Sequence, residues 1–188
     1  MFTAILPEPI PAGSAWLVTF WAGLAVAEAL MQWNVRATLQ WPNDILVDGR
    51  KLCGILCVSR IVGDRATLGC GVGINVFRPH NRPELDAIAP PPIFLDDRAV
   101  LGEDARDELL SEILRIFTAR LSALREPDVV AREWERRAEL PLRYQFMLDG
   151  QRELEAVALR LADGGGLVVR EGGSERTIQL ADAVRVVR

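Results

Sequence analysis

One cluster of polar residue types that could carry chemistry lies between segments that are otherwise apolar. Asn43 and Asp44 follow a proline, and Lys51 follows Gly49 and Arg50. Polar and potentially catalytic residue types between strands that are otherwise apolar need a reason, because burying them is costly. Each residue alone has a plainer explanation, because Asn and Asp often satisfy a turn and a strand-end lysine is usually a solvated surface charge. The cluster is therefore informative only as a set.

A second motif alternates glycine with other small or apolar residues from Gly69 to Val76. Glycine inside a strand marks a place where a backbone or a ligand approaches closely. A dinucleotide-binding turn would need a helix directly after the glycines, and a proline-rich segment follows instead. The phosphate-binding pattern G-x-x-x-x-G-K-[ST] is also absent, since Leu52 follows Lys51. By itself the glycine motif is weak evidence for any one ligand.

Taken together, the two segments resemble the biotin-protein ligases of the biotin/lipoate A/B protein ligase family. The matching strings are WPND at 41–44, GRKLCGIL at 49–56 and GCGVGINV at 69–76. The resemblance covers roughly residues 1–140 and implies a two-step reaction. Biotin and ATP would first form biotinyl-adenylate and pyrophosphate, and a lysine of a biotin carboxyl carrier protein would then accept the biotinyl group. The implied cofactors are ATP and Mg²⁺, with biotin as substrate.

The resemblance also implies roles for individual residues. Lys51 matches the family lysine that contacts the biotin carboxylate and the α-phosphate, a shared charge that suits a compact ammonium. Besides this catalytic role, the expected biotin contacts are Lys51, Gly54, Ile55, Leu56 and Gly71. The expected nucleotide contacts are Asn43, Asp44 and Asn75. Asp44 is also the expected Mg²⁺ ligand.

The sequence departs from the family pattern most at its front. The family's Arg-Gly-rich loop and its Ser-Thr-Asn biotin contacts would lie upstream of Phe2, so we expect a catalytic core that is incomplete at its N-terminus. Gln40 stands where the family often has a lysine, and an acidic residue is common where this chain has the segment 57–59. Two alternatives stay open. One is a non-catalytic paralogue or fragment that binds biotin or the adenylate, and the other is a lipoate or octanoate ligase, although the WPND string favours biotin.

The elements that must position these residues are predicted from hydrophobic patterning. Phe2 to Leu6 is expected to be a strand, followed by a proline-rich bend in which regular pairing is discouraged. A helix that is apolar on all sides is expected from an N-cap at Ser14 to Trp33. Short gaps between the next strands allow hairpins only, so an antiparallel or mixed sheet with the helix on one face is predicted. Its strands are 37–41, 45–47, 52–59 and 66–76.

The second half of the chain predicts a helical segment and a small β-rich domain. The segment 77–101 holds five prolines and is expected to be a long loop. An amphipathic helix should follow Asp104, and a third helix should open at Pro127. Short strands at 153–161, 167–170, 176–180 and 184–187 then predict an SH3-like β-barrel. The fold class is therefore an α/β (α+β) core at 1–140 with a small SH3-like domain at 141–188.

Composition limits the partners. Twenty-two basic against 26 acidic residues give a net charge of −4, and no helix-turn-helix precedes the core, so DNA binding is not expected. The apolar segment 15–31 is short for a membrane span and contains Glu28. Cys53, Cys57 and Cys70 are expected to be small core residues of a cytoplasmic protein. His80 is expected to be a solvated loop residue. Exposed sheet edges would favour a homodimer.

Overall fold

The computed structural model describes residues 1–85, 87–88, 91–148, 150, 152–179 and 183–186. Two antiparallel sheets and three helices make up these residues. The first sheet has six strands, in the spatial order β1-β6-β5-β4-β3, with β2 beside β6. The bounds of its strands are β1 (Phe2–Ile5), β2 (Ile10–Pro11), β3 (Thr38–Gln40), β4 (Asp44–Val47), β5 (Arg50–Val62) and β6 (Arg65–Ile74). The predicted antiparallel sheet with helices packed on it is confirmed.

Two local predictions at the front of the chain are wrong. The proline-rich bend does pair, because Ile10–Pro11 lies beside β6 at an edge where a proline needs no backbone donor. Ser14 is not an N-cap, since α1 (Leu17–Ala29) begins three residues later without any side-chain cap. A 3-10 turn at Ala12–Ser14 precedes it, and the bonds from Ala15 N to Ala12 O and from Val18 N to Ala15 O take up those donors instead.

The helices cover one face of the first sheet. Helix α1 is buried on nearly all sides, as predicted, and it packs between the sheet and the two later helices. These are α2 (Ala105–Arg120) and α3 (Pro127–Arg137), and both match their predicted starts. The loop between β6 and α2 is irregular apart from 3-10 turns at Pro83–Leu85 and Leu95–Asp97. Within the described residues, no helix is long and apolar enough to cross a membrane.

The second sheet has five strands in the order β10-β9-β8-β7-β11. They are β7 (Leu142–Leu148), β8 (Arg152–Leu161), β9 (Leu167–Glu171), β10 (Ser174–Ile178) and β11 (Ala183–Val186). Strand β7 was not predicted, and residues 180 and 187 of two predicted strands lie outside the described residues. No pairing joins β10 to β11 in the part of the chain that is described. Closure of this sheet into an SH3-like barrel therefore stays a prediction.

Side chains of the first sheet bind the backbone of the second. Trp41 Nε1 donates to Gly165 O at 2.9 Å, and Gln40 Nε2 donates to Val184 O at 3.1 Å. Both donors lie at the end of β3, directly before the polar cluster. The second sheet and its β8–β9 turn thus anchor the end of β3, shortly before Asn43 and Asp44. The predicted domain boundary after residue 140 remains a prediction.

Candidate functional site

An irregularity in β5 decides which side chains share a face with Lys51. The register between β4 and β5 shifts by one residue, which leaves Leu52 as an extra residue in β5. Leu52 and Cys53 are consequently both buried, and the in-out alternation resumes one residue late. Because a one-residue shift moves every later side chain to the other face, Lys51 and Gly54 end up on the same open side of the sheet.

Lys51 lies across Gly54 and forms an ion pair with Asp44. The Lys51 Nζ is 2.6 Å from Asp44 Oδ1, with the lysine side chain 53% exposed and the aspartate side chain 19% exposed. A Cβ atom at Gly54 would lie 3.3 Å from Lys51 Cε and 3.4 Å from its Nζ. Glycine therefore leaves room for the lysine side chain to fold over the strand towards Asp44.

Lys51 is also the only lysine of the 188-residue sequence, whose other 21 basic residues (22 Lys+Arg minus this one) are arginines. Every basic side chain other than Lys51 therefore carries a guanidinium group. The compact ammonium occurs only beside Asp44, where a point charge can contact several oxygens at once. The presence of a single lysine was visible in the sequence, and the predictions from motifs did not use it.

Asn43 fixes the segment that carries Asp44. Its Nδ2 donates to Ile55 O at 2.7 Å, and its own carbonyl accepts from Ile55 N at 2.9 Å. The side-chain amide nitrogen of Asn43 is therefore used in a hydrogen bond that holds the backbone of the site. A contact between Asn43 and a nucleotide stays a prediction.

The open face of β6 forms a trough without side chains on its floor. Strand β6 presents glycine at every second position there, and the neighbouring strands β1 and β5 present larger residues on either side. We call this feature the glycine trough; its floor is Gly69, Gly71 and Gly73, and its walls are Thr3, Ile5, Leu56 and Val58. Over four residues of strand it is about 13 Å long. Lys51 and Gly54 lie at its Gly73 end, since Gly54 pairs with Gly73.

The walls of the glycine trough are exposed, and all of them except Thr3 are apolar. Ile5 is 74% exposed, Leu56 70% and Val58 63%. A Cβ atom at Gly71 would lie 3.2 Å from Leu56 O, so even alanine would crowd the floor. Contiguous apolar surface of this kind next to a few polar groups is typical of ligand-binding grooves. The arrangement suits an elongated apolar ligand with an anionic group at the Lys51 end.

The structure brings most, but not all, of the predicted biotin contacts to this face. Lys51, Gly54, Leu56 and Gly71 are there together with Asp44. Ile55 is not, because its side chain is 2% exposed and points to the covered face, where its Cδ1 would lie 3.7 Å from a Cβ at Gly23. Its side chain is thus part of the core, and only its backbone borders the site.

Asn75 and Arg50 hold the end of the long loop beside Lys51. Asn75 Nδ2 donates to Lys51 O at 3.3 Å and to Ile93 O at 3.2 Å. Arg50 donates from Nε to Pro91 O at 3.0 Å and from Nη2 to Pro92 O at 2.6 Å. The predicted nucleotide contact of Asn75 stays a prediction. Arg50 was not predicted at all, although its place next to Lys51 in the GRK string was the available signal.

Comparison with known proteins relates part of the chain to one family. The profile described as Biotin/lipoate A/B protein ligase family matches residues 5–75, a range that holds Asp44, Lys51 and all of the glycine trough except Thr3. The resemblance seen in the sequence motifs is thereby confirmed.

Individual family members resemble the chain over more of its length. A Mycobacterium tuberculosis protein named biotin--[acetyl-CoA-carboxylase] ligase is 29% identical over 171 residues, which is 88% of this chain and 60% of the relative. The bifunctional ligase/repressor BirA of Bacillus subtilis is 34% identical over 79 residues, or 41% of this chain and 24% of the relative. The chain thus spans less than two thirds of either relative.

A solved member of the family shares the fold. The biotin protein ligase from Aquifex aeolicus, in complex with biotin and ATP, has a TM-score of 0.73 at 19% sequence identity. The match covers 99% of this chain and 78% of the Aquifex chain. At this identity the likeness shows a shared fold and no more.

Within the described residues, the site contains one carboxylate at the lysine and no cluster of metal ligands. Among the described residues, no group of three or more His, Cys, Asp or Glu side chains could hold a metal ion. Asp44 is the carboxylate at Lys51, and the ion pair already engages one of its oxygens. This donor set does not fit a metal held by protein alone. It fits an Mg²⁺ that is held mainly by phosphate oxygens and water.

The three cysteines lie behind the site, on strands β5 and β6, and all have free thiols. Cys53 and Cys70 are buried in the core, as predicted, and Cys57 is half-buried. Burial is the main cause that raises the pKa of the Cys53 thiol to about 12. Cys53 is therefore a neutral core residue at physiological pH and does not act as a nucleophile.

Proposed function

We propose that this protein attaches biotin to a lysine of a biotin carboxyl carrier protein, with ATP consumed and biotinyl-adenylate as intermediate. The observation that carries the proposal is the position of the Lys51 ammonium at one end of an apolar, glycine-floored trough. The names of the Mycobacterium and Aquifex proteins support biotin as the ligand and ATP as the second substrate.

In the first step, the trough holds the apolar part of biotin and its carboxylate reaches Lys51. A carboxylate oxygen attacks the α-phosphorus of ATP, the bond to the β-phosphate oxygen breaks, and pyrophosphate leaves. Lys51 offsets the negative charge that both anions bring together, which is positioning and electrostatic catalysis. Asp44 keeps the ammonium in place before the substrates bind. An Mg²⁺ bound mainly by the phosphates, with Asp44 as its protein ligand, would neutralise the leaving group.

In the second step, the amine of a carrier lysine attacks the acyl carbon of biotinyl-adenylate and AMP leaves. This step needs access from solvent, and the open face of the sheet provides it because the walls of the trough are exposed. Free cysteines agree with a cytoplasmic location, where carrier proteins would be met. Self-association into a homodimer through a sheet edge is a further part of this proposal.

The experiment is calorimetric titration with biotin and with a non-hydrolysable biotinyl-adenylate analogue, followed by an assay of biotin-dependent pyrophosphate release. The test variant is Lys51→Gln. The matched control is Arg60→Gln, which removes an exposed cation from the far end of the same strand. We expect Lys51→Gln to slow adenylate formation about 100-fold or more, the usual cost of one lost transition-state donor, while the control keeps the wild-type rate.

The same measurements separate the alternatives. Wild-type rates in Lys51→Gln would sink the proposed role of the lysine. Tight analogue binding without pyrophosphate release would favour a non-catalytic binding protein, for which the exposed trough is the supporting observation. Faster turnover with octanoate or lipoate than with biotin would favour the lipoate branch of the family, whose substrate is a longer flexible chain.

A further inference from the structure

The end of the long loop between β6 and α2 is bound to the start of β5 through Arg50. Its guanidinium donates to two successive carbonyls, Pro91 O at 3.0 Å and Pro92 O at 2.6 Å. A planar guanidinium presents its donors in a fixed fork, which suits two acceptors held side by side. Prolines have no backbone N–H, so Pro91 and Pro92 cannot be secured through backbone donors of their own. Arg50 supplies the donors that these two residues lack.

A second set of bonds attaches the same stretch to the backbone of Lys51. The Lys51 carbonyl accepts from Ile93 N at 3.0 Å and from Asn75 Nδ2 at 3.3 Å. Asn75 Nδ2 also donates to Ile93 O at 3.2 Å, and the Ile93 side chain is fully buried. We call Arg50, Asn75 and the loop residues 91–93 the latch. The latch binds the main chain of Lys51 at its carbonyl oxygen.

We infer that Arg50 is a positioning residue that fixes the Lys51 ammonium through the latch. The two cations of the GRK string then have different tasks: Lys51 contacts the reacting groups, and Arg50 holds the backbone from which Lys51 projects. Direct binding of a phosphate by Arg50 is disfavoured, because its Nε and Nη2 already donate to loop carbonyls. The effect on catalysis rests on the function proposed above, whereas the effect on structure does not.

The structural half of this inference can be measured without any substrate. Because Lys51 is the only lysine, isotope-labelled lysine gives a single side-chain Cε signal by NMR, and amide exchange reports on Ile93 separately. We expect Arg50→Gln to shift the Lys51 signal and to speed Ile93 exchange about 10-fold or more, as befits the loss of charge-assisted hydrogen bonds. Arg132→Gln, on the exposed surface of α3, should change neither.

Arg50→Lys keeps the charge but cannot bridge both carbonyls in the same way, so its Ile93 exchange should lie between wild type and Arg50→Gln. This variant also decides the matter if Arg50→Gln does not fold. Ile93 exchange equal to wild type in a folded Arg50→Gln or Arg50→Lys protein would overturn the latch.

The catalytic half is read from steady-state kinetics of adenylate formation. A displaced Lys51 should lower kcat about 10- to 100-fold in Arg50→Gln, while KM for biotin changes less than about twofold. A rise in KM for ATP alone, with normal Ile93 exchange, would mean that Arg50 binds phosphate directly and would overturn the inference. If the wild-type protein forms no adenylate, the proposed function fails, and the NMR and exchange measurements still decide whether the latch exists.

Discussion

The two faces of the six-stranded sheet come from the same strands and differ in what they contribute. The covered face carries Ile55 and Val72, which are 2% and 0% exposed. The open face carries Leu56 and Gly71, their immediate neighbours in sequence, and Leu56 is 70% exposed. The covered face therefore provides most of the free energy of unfolding, and the open face provides the site. The register of the strands decides whether a side chain of β5 or β6 packs in the core or faces the site.

The largest expected contrast is between two adjacent substitutions. Ile55→Ala removes a buried side chain and should lower the free energy of unfolding by about 2–5 kcal/mol. Leu56→Ala removes an exposed one and should change it by less than about 0.5 kcal/mol. Urea denaturation of both variants measures the difference. For binding the order reverses, and Leu56→Ala should weaken the biotinyl-adenylate analogue about 10-fold because an apolar wall is lost.

Equal destabilisation by the two alanine variants would contradict the assignment of faces. It would mean either that the bulge at Leu52 is absent in solution or that the open face is packed in the free protein. An unchanged affinity in Leu56→Ala, with the stability result as expected, would instead remove only the trough from the binding site.

The bulge in β5 sets an orientation that the sequence motifs alone do not give. The motifs named Lys51, Asp44 and Gly71, and the structure places all three on the open face. Strict alternation from Lys51 would have put Gly54 on the covered face and Ile55 on the open one. A one-residue shift exchanges them, and nothing in the local residue types announces an extra residue in a strand.

Hydrophobic patterning predicted most strands and helices, but it did not predict features that depend on contacts between distant parts of the sequence. The hairpins and all three helices follow from hydrophobic period and turn residues. Strand β7 follows directly after Pro141 and was overlooked, although Tyr144 and Phe146 alternate into the core of the second sheet. Arg50 is a similar case, because a basic residue acquires its role only when the loop residues 91–93 return beside it. Such contacts span about 40 residues of sequence and leave no local pattern.

A second, smaller contrast compares two ion pairs on α2, one partly buried and one exposed. We call the partly buried group of Arg120, Glu28 and Glu133 the clamp. Arg120 of α2 donates to Glu28 of α1 at 2.8 Å and to both carboxylate oxygens of Glu133 of α3 at 2.8 and 3.0 Å. Arg120→Met should lower the free energy of unfolding by about 1–3 kcal/mol, since it leaves two partly buried carboxylates unpaired. The control is Arg115→Met on the same helix, which removes an exposed pair with Glu112 and should leave the free energy of unfolding nearly unchanged.

The clamp should also depend on pH in a defined direction. Hydrogen bonds from Arg120 lower the pKa of the Glu133 carboxyl below its ordinary 4.5, against the opposing effect of burial. A carboxyl with a lowered pKa stabilises the fold above its ordinary pKa, and that contribution is lost as pH falls through the folded value. The difference between wild type and Arg120→Met should therefore be full at pH 7 and shrink below about pH 4.5. A difference that is constant with pH would show that Arg120 acts through packing alone.

The smallest expected effect compares one glycine from each face. A Cβ atom at Gly23 of α1 would lie 3.6 Å from Leu39 Cδ2 and 3.7 Å from Ile55 Cδ1, which is ordinary contact. Gly23→Ala should therefore raise the free energy of unfolding by about 0.5–1 kcal/mol, because glycine in a helix interior is entropically costly. Gly71→Ala has no such gain, since its Cβ would lie 3.2 Å from Leu56 O and crowd the trough floor.

Thermal unfolding and analogue titration of these two alanine variants test that difference. Gly23→Ala should bind the analogue as wild type does, whereas Gly71→Ala should bind about 10-fold more weakly, as expected when a methyl group intrudes on a fitted ligand. If Gly71→Ala bound normally, the floor of the trough would not touch the ligand, and the absence of side chains there would have to serve strand packing instead. If Gly23→Ala lost stability, the layer between α1 and the sheet would be packed more tightly than these distances indicate, and the covered face would have no room for a single added carbon.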